Sequence, residues 1–192
     1  HLFLSTDSRF DLQAAKEAED YDIHCYRENL SKSFPEIIKQ LGTQRLGFES
    51  ARLTHKILTD LGEALTSQKL NIPMIPTVNL VEQLREIKDE HEIQHTQSAL
   101  RLAEQAFIKI LAKIKPGMTE KETLGIIYEA LYRHGAECEG FPNYVFCGRK
   151  TRNAISRSTY DKIEKGLLIQ LCFGARFGGY SSSVGRPVIF GK

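Results

Sequence analysis

The sequence is short of three things that would assign it quickly. It has no long hydrophobic run: none of its apolar stretches approaches the roughly 20 residues that span a bilayer. It has no dominant charge: 26 Lys and Arg face 24 Asp and Glu, for a formal net charge of +2. These charges are scattered, so there is no electrostatic case for nucleic acid or an anionic membrane as partner. It has no paired cysteines. Cys25, Cys138, Cys147 and Cys172 lie far apart with no C-x-x-C pair, which argues against a disulfide framework or a zinc ribbon. No secretion signal is visible, so cytoplasm is the expected compartment. With 41% hydrophobic and 26% charged residues, the rest is ordinary globular composition.

What is present changes character along the chain. Residues 1–80 alternate short apolar or β-branched runs with helix formers. Strands are expected at 2–4, 21–26 and 45–49, an extended segment at 72–76, and helices at 11–20, 31–41 and 52–66. Ser31 reads as the cap of the second helix, with Pro35 near its start. This alternation predicts a mainly parallel sheet. Residues 80–114 form one helical pattern with a break near Lys88 and Asp89, closed by Pro116-Gly117. Thr119 and Glu122 have the spacing of a capping box, and His134-Gly135 ends the helix that follows. From Tyr144 onward, aromatic and β-branched residues with Gly and Ser predict antiparallel strands. The first residues read as mid-strand and the last finish on a strand, so a fragment of a longer chain is expected. The domain boundary is placed at 79/80.

One motif asks for separate treatment. His91-Glu92-Ile93-Gln94-His95 fits H-E-x-x-H, in which two histidines hold zinc and the glutamate activates its water. At about 100° per residue, Ile93, Leu100, Ala103, Phe107, Ile110 and Ile114 share a stripe. His91 and His95 then point about 160° from Ile93, onto a face expected to be solvated. A third ligand is lacking six residues on, where Arg101 stands; Glu120 and Glu122 read as a helix start. The motif is expected to be surface helix rather than a zinc protease centre.

Six segments occur in a telling order: LVEQLREIKDEHEI (80–93), KPGMTEKE (115–122), HGAECEGFPNYVFCG (134–148), IEKG (163–166), FGARFGGY (173–180) and SVGRPVIFG (183–191). Together with TDSRF (6–10) and GFES (47–50), they closely resemble the creatinase/aminopeptidase P/prolidase family of pita-bread hydrolases. The resemblance covers essentially the whole chain. It implies an α/β N-terminal domain, partial, over 1–79 and an α+β pita-bread catalytic domain, incomplete, over 80–192. It also implies action on peptides or a small molecule, and a homodimer in the full-length protein.

Most of the family use two divalent metals held by two Asp, one His and two Glu, because paired hard cations want carboxylate oxygens. The resemblance places the first Asp position at Cys172 and the second, eleven residues later, at Ser183. Creatinase works without metal through a loop histidine, and that position is Ile155 here, which cannot move a proton. The remaining ligands would lie beyond residue 192. No cofactor is expected, and no catalytic residue is assigned. Phe141 and Tyr144 are candidates for the substrate pocket or for core. Tyr180 and Arg186 are expected to be structural, by packing and an ion pair. The residues thus point to a metal-independent C–N hydrolase, with a peptide- or partner-binding pseudo-enzyme as the alternative and a zinc protease through HEIQH last.

Overall fold

The computed structural model describes residues 2–191. The chain separates into two compact units, His1–Glu86 and Ile87–Lys192. Each is taken by itself.

The first unit runs β1 (Phe3–Asp7), α1 (Asp11–Glu17), β2 (Asp22–Tyr26), α2 (Leu30–Gln40), β3 (Leu46–Glu49), α3 (His55–Ser67), β4 (Met74–Thr77), α4 (Leu80–Glu86). The expected strand–helix alternation is present, and its pairings are parallel. They form two separate two-stranded ladders, β1 with β2 and β3 with β4. The core is Phe34, Ile38, Leu61 and Leu65, supplied by α2 and α3, with Leu46 and Met74 packed against it. The cap of α2 is Asn29 rather than Ser31: the Asn29 side chain accepts the Lys32 N–H at 3.1 Å. Both are good caps by chemistry, and the extended backbone at Asn29 decides between them.

The second unit begins with α5 (Glu90–Lys113) and α6 (Glu120–Arg133). The break expected near 88–89 is the start of α5, where Asp89 and Glu92 form a capping box. Thr119 and Glu122 do the same for α6. Then come β5 (Tyr144–Cys147), a 3-10 turn (Gly148–Arg152), β6 (Leu168–Phe173), a small hairpin of β7 (Arg176–Phe177) and β8 (Tyr180–Ser181), and β9 (Val184–Ile189). Strand order is β5-β6-β9, antiparallel throughout.

Alternation along β6 sorts its two faces. Ile169, Leu171 and Phe173 are fully buried, and with Val145 and Val184 they join Ile110, Ile114, Ile127 and Leu131 in the core beneath α5 and α6. Gln170 and Cys172 point the other way.

The buried line of α5 is Ala99, Ala103, Ala106 and Ile110, spaced 4, 3 and 4. Ile93 and Leu100, assigned to the inner stripe from sequence, are 38% and 40% exposed. Small alanines, not the largest apolar residues, mark the inner face, because they let the helix lie close to the strands. Continuing that line one turn back reaches His95, which is half-buried rather than solvated.

At Gly174 a Cβ would lie 2.0 Å from the Ser182 carbonyl oxygen. The Ser182 hydroxyl donates to the Ala99 carbonyl (2.9 Å) and accepts the Ala175 N–H (3.0 Å), tying this corner to α5. Gly174→Ala is expected to destabilise by about 1–3 kcal/mol through overpacking. Gly125→Ala, on the exposed side of α6 with open space above it, is expected to stabilise by about 0.5–1 kcal/mol. Denaturant midpoints of the two variants, moving in opposite directions, check this.

Candidate functional site

The open face of the β5-β6-β9 sheet is set by register. Tyr144 lies opposite Cys172, which lies opposite Gly185. One step on, Phe146 faces Gln170, which faces Pro187. Ser183 directly precedes β9 and is exposed, while Cys172 and Tyr144 are half-buried. The Gln170 amide approaches the Cys172 sulfur at 3.6 Å. Phe141 reaches the end of the same strand, for a Cβ on Gly174 would meet its ring at 3.0 Å. The fold therefore gathers Cys172, Ser183, Tyr144 and Phe141 around one end of β6. Ile155 is on a separate loop after the 3-10 turn and is 62% exposed.

That loop is built on a group not singled out from the sequence. Glu120, in the first turn of α6, has no exposed surface. Its Oε1 accepts the Cys147 N–H at 2.9 Å. Its Oε2 accepts the Lys150 ammonium at 2.6 Å and the Thr159 N–H at 2.7 Å. Lys150 also meets Asp161 at 2.7 Å. Burial works to raise the Glu120 pKa, but Lys150 and the N–H groups of Thr159 and Cys147 outweigh it and hold it below the ordinary value. The same surroundings push the neighbouring Cys147 thiol up to about 11, by burial first and then by the Glu120 carboxylate, so it is inert. From sequence Glu120 looked like one of several acids at a helix start. The available signal was an acid directly after a cap, but its burial comes from residues 27 to 39 positions away.

The HEIQH residues have a defined setting within this unit. The His91 and His95 Nε2 atoms are 3.2 Å apart. Glu92 accepts the Asp89 N–H at 2.8 Å and the Tyr180 hydroxyl at 2.6 Å, and these bonds lower its pKa, Tyr180 first. A carboxylate so engaged is not a free base. Tyr180 is thus structural by a hydrogen bond as well as packing. The ion pair expected for Arg186 is not formed among the described residues; its guanidinium donates to the Gly185 carbonyl at 2.9 Å.

An α/β unit followed by two helices and an antiparallel sheet is the arrangement of the creatinase and prolidase fold. Residues 1–87 match the creatinase/prolidase N-terminal domain, and residues 94–192 match metallopeptidase family M24. The chain belongs to metallopeptidase family M24. It is 28% identical over 187 residues to the uncharacterized peptidase YqhT of Bacillus subtilis, covering 97% of this chain and 52% of that protein. It is 25% identical over 163 residues to the Xaa-Pro dipeptidase of Pyrococcus furiosus, covering 84% and 45%. Among solved structures, the Xaa-Pro dipeptidase from Bacillus anthracis superposes with a TM-score of 0.89 at 32% identity, covering 99% of this chain and 52% of that one. The X-Pro aminopeptidase from Thermotoga maritima gives 0.86 at 26%, covering 99% and 53%. The chain thus spans about half the length of the relatives it matches: the N-terminal domain and an incomplete catalytic domain. No helix among the described residues is long and apolar enough to cross a membrane.

Glu120→Gln is expected to cost about 3 kcal/mol near neutral pH, by leaving Lys150 without its buried partner. Because the folded-state pKa of Glu120 is lowered, the stability gap between wild type and variant is full above the ordinary value of 4.5 and shrinks as pH falls through the folded value. Urea unfolding of both proteins across that range checks the sign.

Proposed function

We propose that this chain is the front half of a Xaa-Pro peptidase or creatinase-type hydrolase that cleaves a C–N bond without metal. The observation that carries the proposal is that Cys172 and Ser183 stand at the two positions where the resemblance places the family's aspartates. A thiol and a hydroxyl are poor donors for two hard cations. The side chains beside them on this face, Tyr144, the buried Phe146, Gln170 and Pro187, add no carboxylate and no imidazole. The residues present do not suit a dinuclear centre. Ile155, at the position of creatinase's histidine, supplies no proton transfer either. The groups that act on substrate would then come from beyond residue 192, with Phe141 and Tyr144 shaping the pocket. Cytoplasmic location and a homodimer belong to the same reading.

A second reading is a binding protein that keeps the cleft and performs no turnover. It rests on the same neutral open face. The two readings separate on a screen of Xaa-Pro dipeptides and small amidine-like compounds: ligand binding with no hydrolysis selects the second.

The metal question is tested on the full-length protein purified with Zn, Mn and Co available. The expected outcome is that Cys172→Ala and Ser183→Ala leave the bound metal per chain unchanged. A fall in either variant overturns the vacated-site reading and restores an ordinary metallopeptidase.

A further inference from the structure

Among the described residues, no group of three or more His, Cys, Asp and Glu side chains is arranged to hold a metal ion. A pair is. We infer that His91 and His95 form a two-imidazole site for one borderline transition-metal cation, such as Zn²⁺, Ni²⁺ or Cu²⁺, on the first turns of α5.

The geometry is specific. Residues four apart on a helix share a face, and here both rings turn their Nε2 atoms toward each other, 3.2 Å apart. Two imidazoles on a tetrahedral ion, at metal–nitrogen distances of about 2.0–2.1 Å, hold their nitrogens about 3.3–3.4 Å apart. The nitrogen separation is thus already that of a chelated pair, with the ring centroids 4.4 Å apart and the planes tilted by 57°. Helical spacing alone does not give this, since free rotation of two exposed histidines would spread their rings.

One ring is fixed by packing. His95 lies against Phe177 and Tyr180, with ring centroids 5.8 and 5.7 Å away. The hairpin backbone fits against its other edge. A Cβ on Gly178 would fall 1.7 Å from His95 Nδ1, and Gly178 has a φ of +56°, so glycine is required there twice over. The Gly178 and Gly179 N–H groups are held by Glu137 at 2.6 and 3.3 Å, which fixes the turn. His91 is exposed, so an ion reaches the pair from solvent.

The same surroundings set which ion is bound. Without metal, one Nε2–H donates to the other Nε2. An ion must replace that bond, and it requires the His95 proton on Nδ1, which is buried without a hydrogen-bond partner. Only cations with strong imidazole affinity overcome this, which excludes Mg²⁺, Ca²⁺ and Mn²⁺ and favours the later first-row metals. Glu92 is committed to Tyr180 and the Asp89 N–H, so the remaining coordination positions belong to water and the site is not a protease centre. Its effect is to clamp the start of α5.

The test uses full-length protein, with Zn²⁺ binding measured by calorimetry and Cu²⁺ by electron paramagnetic resonance. Wild type is expected to bind one ion that His91→Gln and His95→Gln each weaken by roughly tenfold or more, since each variant breaks a chelate. The copper spectrum is expected to show two nitrogen ligands from wild type and one from His91→Gln. Circular dichroism without metal establishes that the variants fold; His91, being exposed, keeps the test valid should His95→Gln unfold. Equal ion number and affinity in wild type and His91→Gln, or a wild-type spectrum with fewer than two nitrogens, overturns the assignment.

Discussion

The second unit depends on a carboxylate that water never reaches. Glu120 brings a formal charge into the interior, which is tolerable only because every approach to it is a donor: a strand N–H, a loop N–H, a hydroxyl and an ammonium. These donors come from β5, from the 3-10 turn and from the loop ahead of β6, three stretches that share no regular ladder with α6. The charge joins them beside the backbone bonds that tie the start of α6 to the same loop, such as Glu120 N–H to the Asp161 carbonyl at 3.0 Å and Lys121 N–H to the Thr159 carbonyl at 3.1 Å. The loop that holds Ile155 is thereby anchored through Lys150, while Ile155 itself is left facing solvent.

Much of this was legible from the sequence, and the reasons for the failures are physical. Caps are local, so the box at Thr119–Glu122 and the helix break before α5 could be read directly, while the box at Asp89–Glu92 emerged only in the structure. The order of strands and helices, the antiparallel pattern after Tyr144 and the pita-bread architecture followed from periodicity and from motif order. The inner face of α5 was read correctly at Ala103, Phe107, Ile110 and Ile114 but not at Ile93 and Leu100, which are partly exposed. The helix instead packs through alanines, so His95 was placed in solvent when it lies one turn along the buried line. Glu120 could not be recognised as buried, because its partners are distant in sequence. The cap of α2 and the partner of Arg186 depended on backbone conformation and tertiary setting that composition does not encode.

The site residues drawn from the family resemblance occupy coherent places. Cys172 and Tyr144 lie on one side of the sheet by register, Ser183 directly precedes β9, and Phe141 closes on the end of β6. This coherence is a property of the fold: the pleat and the eleven-residue spacing put those positions together whatever side chains they carry. The chemistry depends on the side chains, and there a thiol, a hydroxyl and an amide stand together.

The two faces of β6 also answer to different pressures. Ile169, Leu171 and Phe173 sit in a closed apolar layer where losing a few methylenes costs several kcal/mol. Gln170 and Cys172, one residue away in each case, are half-buried on the opposite face. Within a single strand, alternate positions thus answer to different constraints. A lineage can exchange the reactive groups of such a strand one at a time while each intermediate protein still folds, so the persistence of the scaffold and the persistence of its chemistry are separate inheritances.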